Sequence, residues 1–215
     1  MSRIDDIVEQ VRDSLADPQG DRWDDFQLLR FINEAQKKVA IKAKLIRKTT
    51  TGTIVSGTAE CTAPTDCYLI TRLSINNEKV PTLTYEELDN DEDAWEDDTG
   101  ATVEGVVFDE SDAVKFSFYP IPTDPTYIEY KLRYVAYPTT LVKLSDSLEI
   151  SQLFDEALKH YTVATAWRLD QDTQSKANAI DEFALFNTEL VEAIKLNSLN
   201  GNTNSTRTTT YRGFE

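Results

Sequence analysis

Few residues in this chain could carry chemistry, and their spacing tests each of them. His160 is the sole histidine. Acid–base or nucleophilic work at an imidazole needs a nucleophile on one side of the ring and an orienting acid on the other. Asp155 and Glu156 lie about one helical turn away, and a surface pair is the simpler reading. Cys61 and Cys67 have five residues between them in a strand-like region, which fits neither a CxxC redox pair nor a zinc knuckle. Two reduced thiols are expected. The run from Glu86 to Asp98 holds nine carboxylates in thirteen residues. On an EF-hand frame, Asp89, Asp91 and Asp93 take the first three ligand positions. Ala94 then falls where glycine is needed, and Gly100 where the bidentate glutamate belongs. A solvated acidic loop anchored by Trp95 fits better. The chain has no GxGxxG, P-loop or GxSxG, and its seven glycines leave little material for phosphate-cradling loops. No catalytic residue, metal ligand or cofactor is expected.

The elements that would position a site follow from composition and periodicity. The 215 residues are 40% hydrophobic and 10% aromatic, enough for one sizeable domain or a domain with an appendage. Lysine and arginine total 22 against 38 acids, a net charge of −16. That balance disfavours a nucleic-acid coat or an anionic-membrane ligand. MSRIDDIVEQ lacks the apolar run of a signal peptide and no segment approaches transmembrane length, so a soluble protein made inside the cell is expected.

Ile4, Ile7, Val8, Val11 and Leu15 mark one face of a first helix with Ser2 as its N-cap, stopped by Asp17-Pro-Gln-Gly20. Asp24 and Gln27 form a capping box for a second helix, flanked by Trp23 and Leu28 at the staple positions. Leu28, Ile32, Ala35 and Val39 share a face, and the pattern continues to about Ile46. From Thr49 the chain turns β-branched. Strands are expected at 49–55, 67–75, 103–108, 115–119 and 127–137, with a hairpin turn at Asn76-Asn77-Glu78. Helices return near Ile150, and a last one from about Thr173 to Leu196 would turn Ala177, Ile180, Phe183, Ala184, Leu190 and Ile194 inward. The expected class is α+β. Residues 1–48 and 147–196 would form an antiparallel helical bundle, 49–146 an inserted antiparallel β domain, and 197–215 an extended C-terminal tail rich in Asn, Thr and Ser.

Charge is unevenly placed. No acid occurs from Ala35 to Ala59, while Lys37, Lys38, Lys42, Lys44, Arg47 and Lys48 crowd the back half of the second helix. One reading is a solvated helix end favoured by the macrodipole. The functional reading is a subunit interface in which Lys37, Lys42, Lys44 and Lys48 meet an acidic neighbour surface, with Asp91, Asp93 and Trp95 as interface residues of the acidic run.

Several motifs together carry a family resemblance. They are Ile4-Asp5-Asp6-Ile7-Val8, Asp21-Arg22-Trp23, Leu28-Leu29-Arg30-Phe31-Ile32-Asn33-Glu34-Ala35-Gln36, Asp66-Cys67-Tyr68-Leu69-Ile70, Phe116-Ser117-Phe118-Tyr119-Pro120-Ile121-Pro122 and Leu158-Lys159-His160-Tyr161. The chain resembles the head-to-tail adaptor proteins of short-tailed bacteriophages. The resemblance implies a structural virion protein at the head–tail junction, made in the bacterial host cytoplasm. It would form a ring, commonly of twelve copies, between portal protein and tail nozzle, with tail fibre proteins as further neighbours. The ring would encircle DNA without sequence-specific binding, and its acidic surplus would let DNA slide. It also implies portal docking through the tail, at Thr208, Thr209, Thr210, Tyr211, Arg212 and Phe214. Two other classes stay open on the residues alone: a small acidic binding module using the β region, and a hydrolase using carboxylates of the acidic run.

Overall fold

The computed structural model describes residues 2–91, 95–109, 112, 114–123, 128–170 and 173–205; at 91, 128 and 200–205 the description is of backbone alone. Helices are α1 (Arg3–Ser14), α2 (Asp25–Lys42), α3 (Tyr85–Asp91), α4 (Asp155–Leu169) and α5 (Thr173–Ser205). Strands are β1 (Arg47–Ile54), β2 (Glu60–Thr62), β3 (Cys67–Ile75), β4 (Glu78–Lys79), β5 (Thr82–Leu83), β6 (Thr99–Gly100), β7 (Gly105–Phe108), β8 (Lys115–Tyr119), β9 (Ile121–Pro122) and β10 (Ile128–Ala136). The class is α+β. Two compact units divide the chain: 1–43 with 139–215, and 44–138.

In the first unit both expected caps form. The Asp5 N–H donates to Ser2 Oγ at 3.1 Å and the Ser2 N–H to Asp5 Oδ2 at 2.8 Å. At α2 the Gln27 N–H donates to Asp24 Oδ1 at 2.7 Å and the Asp24 N–H to Gln27 Oε1 at 3.1 Å. Each box satisfies donors that a helix start leaves orphaned. Ile4, Ile7, Val8 and Val11 of α1 are buried, as are Leu28, Ile32, Ala35 and Val39 of α2. The centre of the unit is α4, which touches α1, α2 and α5. It buries residues all round, including Leu158, Tyr161, Thr162, Val163 and Thr165, the pattern of a helix enclosed by others. Thr162 and Thr165 satisfy their hydroxyls by donating to the carbonyls of Leu158 and Tyr161, both at 2.8 Å.

Two helical expectations need correction. The second helix stops at Lys42, with Ala43 as its C-cap and Lys44 in the left-handed region at φ 49°, rather than running to Ile46. Arg47 and Lys48 belong to β1, where pairing with β10 outweighs the helical pattern carried on by Leu45 and Ile46. The last helix runs past Leu196 to Ser205, and its inward stripe is Ser175, Ala179, Phe186, Leu190 and Ala193. Ala177, Ile180 and Ala184 face out. Phe183 and Phe186 both pack against Tyr161, at centroid distances of 5.5 and 5.2 Å, and small Ala179 and Ala193 flank that contact along the helix. The sequence holds two apolar stripes of equal period, and the aromatic contact selects one of them.

The second unit is two four-stranded sheets, ordered β1-β10-β3-β4 and β2-β8-β7-β5, with a further β6-β9 pair. Ile54, Leu73, Leu132, Tyr134 and Ala136 of the first sheet share one core with Val106, Phe116 and Phe118 of the second. Tyr130 bridges the sheets, its ring 5.8 Å from Phe116 and 5.5 Å from Phe118. Strand β10 is central, with β1 and β3 antiparallel on either side. Asn76 and Asn77, at φ 51° and 69°, close the β3–β4 hairpin in the left-handed conformation a two-residue turn requires. Alternation along β10 fails near its end, where Val135 is buried beside Tyr134. Register shifts fall at Arg133/Tyr134 and Val135/Ala136, and the first leaves Thr71 of β3 without a partner residue.

Candidate functional site

His160 is tied between carboxylates. Its Nδ1 lies 2.6 Å from Glu182 Oε2 on α5, and its Nε2 lies 3.8 Å from Glu156. The contact to Glu182 was hidden in the sequence because it joins two helices, and it fixes the orientation of the ring. Cys61 and Cys67 are free thiols. Burial pushes both thiols up, away from the reactive thiolate. Among the described residues no group of three or more His, Cys, Asp or Glu could hold a metal ion.

The basic stretch of the sequence divides between the two units. On α2, Lys37 is exposed, the Lys38 Nζ lies 5.5 Å from the Tyr161 ring centroid, and the Lys42 Nζ lies 5.6 Å from that of Phe186. Two of these lysines are thus laid over the aromatic rings that α4 and α5 present. Lys44, Arg47 and Lys48 sit in the second unit. The Lys48 Nζ donates to Asp66 Oδ2 at 2.8 Å, and the Tyr134 hydroxyl donates to Asp66 Oδ1 at 3.1 Å. The Lys48 hydrogen bond, followed by that of Tyr134, holds the Asp66 carboxyl below the usual carboxylate range despite its partial burial. Burial and the neighbouring Asp66 push the Tyr134 phenol up. An open groove of about 510 Å³ is lined by Lys44, Arg47 and Lys48 together with Arg72 of β3 and Arg133 of β10. The two arginines were missed as members of a patch because they come from distant strands; the Glu129/Lys131/Arg133 alternation was the signal for one of them.

Among the described residues of the acidic run, those up to Asp91 belong to α3 and Trp95–Asp97 form a 3-10 turn, while Glu86, Glu87, Asp89, Glu96 and Asp97 are exposed. Thr84 and Glu87 start the helix: the Glu87 N–H donates to Thr84 Oγ1 at 3.2 Å and the Thr84 N–H to Glu87 Oε2 at 2.9 Å. Those backbone and hydroxyl bonds lower the Glu87 pKa. Thr84-Tyr-Glu-Glu87 is a capping box, the signal that marks this helix in the sequence. Trp95 does act as an anchor. Its Nε1–H donates to Asp89 Oδ1 at 2.8 Å, and its ring lies 5.8 Å from that of Tyr85 and 6.1 Å from that of Tyr119. Asp91 ends α3, with only its backbone described, and Asp93 lies outside the described residues, as do Thr208, Thr209, Thr210, Tyr211, Arg212 and Phe214.

The motif residues prove to be scaffold. Asn33 and Gln36 of α2 capture the returning chain. Asn33 Nδ2 donates to the Leu141 carbonyl at 2.9 Å, the Leu141 N–H to Asn33 Oδ1 at 2.8 Å, and Gln36 Nε2 to the Thr139 carbonyl at 3.0 Å. Asp17 accepts from the Trp23 N–H at 2.9 Å and the Arg22 N–H at 3.2 Å, and these bonds lower its pKa. Arg12 Nη1 donates to the Trp23 carbonyl at 2.9 Å. Arg12 also packs so closely on Gly20, at φ 71°, that a Cβ there would collide with the guanidinium.

The surfaces that these residues present are charged and aromatic. The sequence model of the SU10 adaptor protein family matches residues 2–211, nearly the whole chain, and the protein belongs to that family. It is a phage adaptor, a virion component that interacts with other virion proteins. No curated protein matches the chain. Among the described residues no helix is long and apolar enough to cross a membrane.

Proposed function

We infer that this adaptor works as a ring, of twelve copies by analogy with the resembling adaptors, joining the portal to the tail nozzle around the DNA path and catalysing no reaction. In this reading the helices form an antiparallel bundle that carries the β region as an insertion. The tail docks on the portal through Thr208, Thr209, Thr210, Tyr211, Arg212 and Phe214, with Tyr211 and Phe214 as apolar anchors. Copies associate heterologously around a closed axis, with Lys37, Lys42, Lys44, Lys48, Asp91, Asp93 and Trp95 at the subunit interface.

Family membership across residues 2–211 is the observation that carries this reading. The outward apolar side of α5 supports it: Ile180 is 69% exposed and Val191 50%, on a helix that leads directly to the tail. Deleting residues 198–215 tests it. Ser198 and Leu199 are exposed, so the truncated protein is expected to keep its thermal midpoint and to lose portal attachment in a pull-down. A lowered midpoint would mean that the tail packs on its own core, and retained attachment would remove the docking role.

A further inference from the structure

We propose that the outer face of the β1-β10-β3 sheet receives the acidic side chains that α3 and the Trp95–Asp97 turn carry on a second copy of this chain, so that neighbouring copies join head to tail. The proposal rests on the ring reading and names the surfaces that make its contacts.

Strand register builds the receiving face. Thr49 of β1, Arg133 of β10 and Arg72 of β3 stand in one cross-strand row. Arg47 lies two rows along, opposite Val135. Arg47, Arg72, Arg133 and Lys44 are all exposed, and among the described residues no carboxylate lines the groove they share. Like charges directly opposite on adjacent strands repel. Arg133 and Arg72 occupy that arrangement in a chain with a net charge of −16, where acids are the abundant choice. The unpartnered Thr71 adjoins the pair, its hydroxyl donating to the Arg133 carbonyl at 2.9 Å. A bulge at this point re-aims the side chains around it. An anion seated between the arginines offsets their repulsion.

The described part of the acidic segment, α3 and the Trp95–Asp97 turn, lies at the other pole of the same unit. Phe116 and Phe118 of β8 point into the core between the sheets. Ser117 and Tyr119 alternate with them and therefore face away from it, and they line a recess with Tyr85, Trp95 and Glu96. Glu86, Asp89, Glu96 and Asp97 are exposed on this segment. One core separates the basic face from the acidic segment, so the two cannot meet within one unit. They can meet between copies. A contact between different patches on successive copies is heterologous, and it closes into a ring when the rotation allows. Complementary charge then sets register and orientation.

The test uses the full chain binding to assembled portal at low ionic strength, with copies bound and cooperativity read by light scattering. Arg72→Glu with Arg133→Glu is expected to weaken cooperative assembly by about tenfold, and Glu86→Lys with Glu96→Lys to do the same. All four changes in one chain reverse both faces and should restore assembly, which a merely misfolded variant would not do. Wild-type assembly with unchanged double variants would overturn this contact and leave the ring reading standing. Failure of the wild type to assemble on portal would overturn both. Double variants that assemble normally but lose binding to random-sequence duplex DNA would assign the face to phosphate instead, and would also overturn the proposal.

Discussion

Asn33 on α2 holds Leu141 by both of its backbone groups, with distances of 2.9 and 2.8 Å across 108 positions of sequence. An asparagine amide carries one donor and one acceptor end, and here it replaces the strand partner that the returning chain lacks. Asn33→Ala leaves the Leu141 N–H and carbonyl without these bonds. We expect a loss of about 1–3 kcal/mol in unfolding free energy by urea titration. No change would mean that water satisfies both groups.

Phe154 is fully buried immediately before α4. Phe154→Ala should cost about 3–5 kcal/mol, the transfer free energy of the ring plus the cavity left behind. The measurement is denaturant unfolding followed by the helical circular dichroism signal. A cost below about 1 kcal/mol would show that the helices collapse into the space.

Asp66 gives the β unit a dependence on acid. Its folded pKa lies below the unfolded value because Lys48 and Tyr134 bond the charged form. The stabilisation is therefore complete above the unfolded pKa and is lost as pH falls through the folded one. The wild-type thermal midpoint should drop more steeply below about pH 4 than that of Asp66→Asn. Parallel profiles would remove Asp66 from the account.

Sequence periodicity made much of this architecture legible, and the reasons for the exceptions are physical. Both capping boxes and the 67–75 strand follow from local chemistry, since cap residues and β-branched alternation act within a few positions. The end of α2 does not, because a sheet partner some ninety positions away claims Arg47. The inward face of α5 depends on Tyr161, a residue of another helix. The interaction surfaces were half visible. Lys44 and Arg47 stood out as a charge run, but Arg72 and Arg133 join them only through strand register.

Ring assembly is tested by the mass of the purified protein by light scattering, alone and then mixed with an assembled portal ring. A monomer alone and a multi-copy ring on the portal are expected. A monomer that ignores the portal would contradict ring assembly and return the chain to a small acidic binding module.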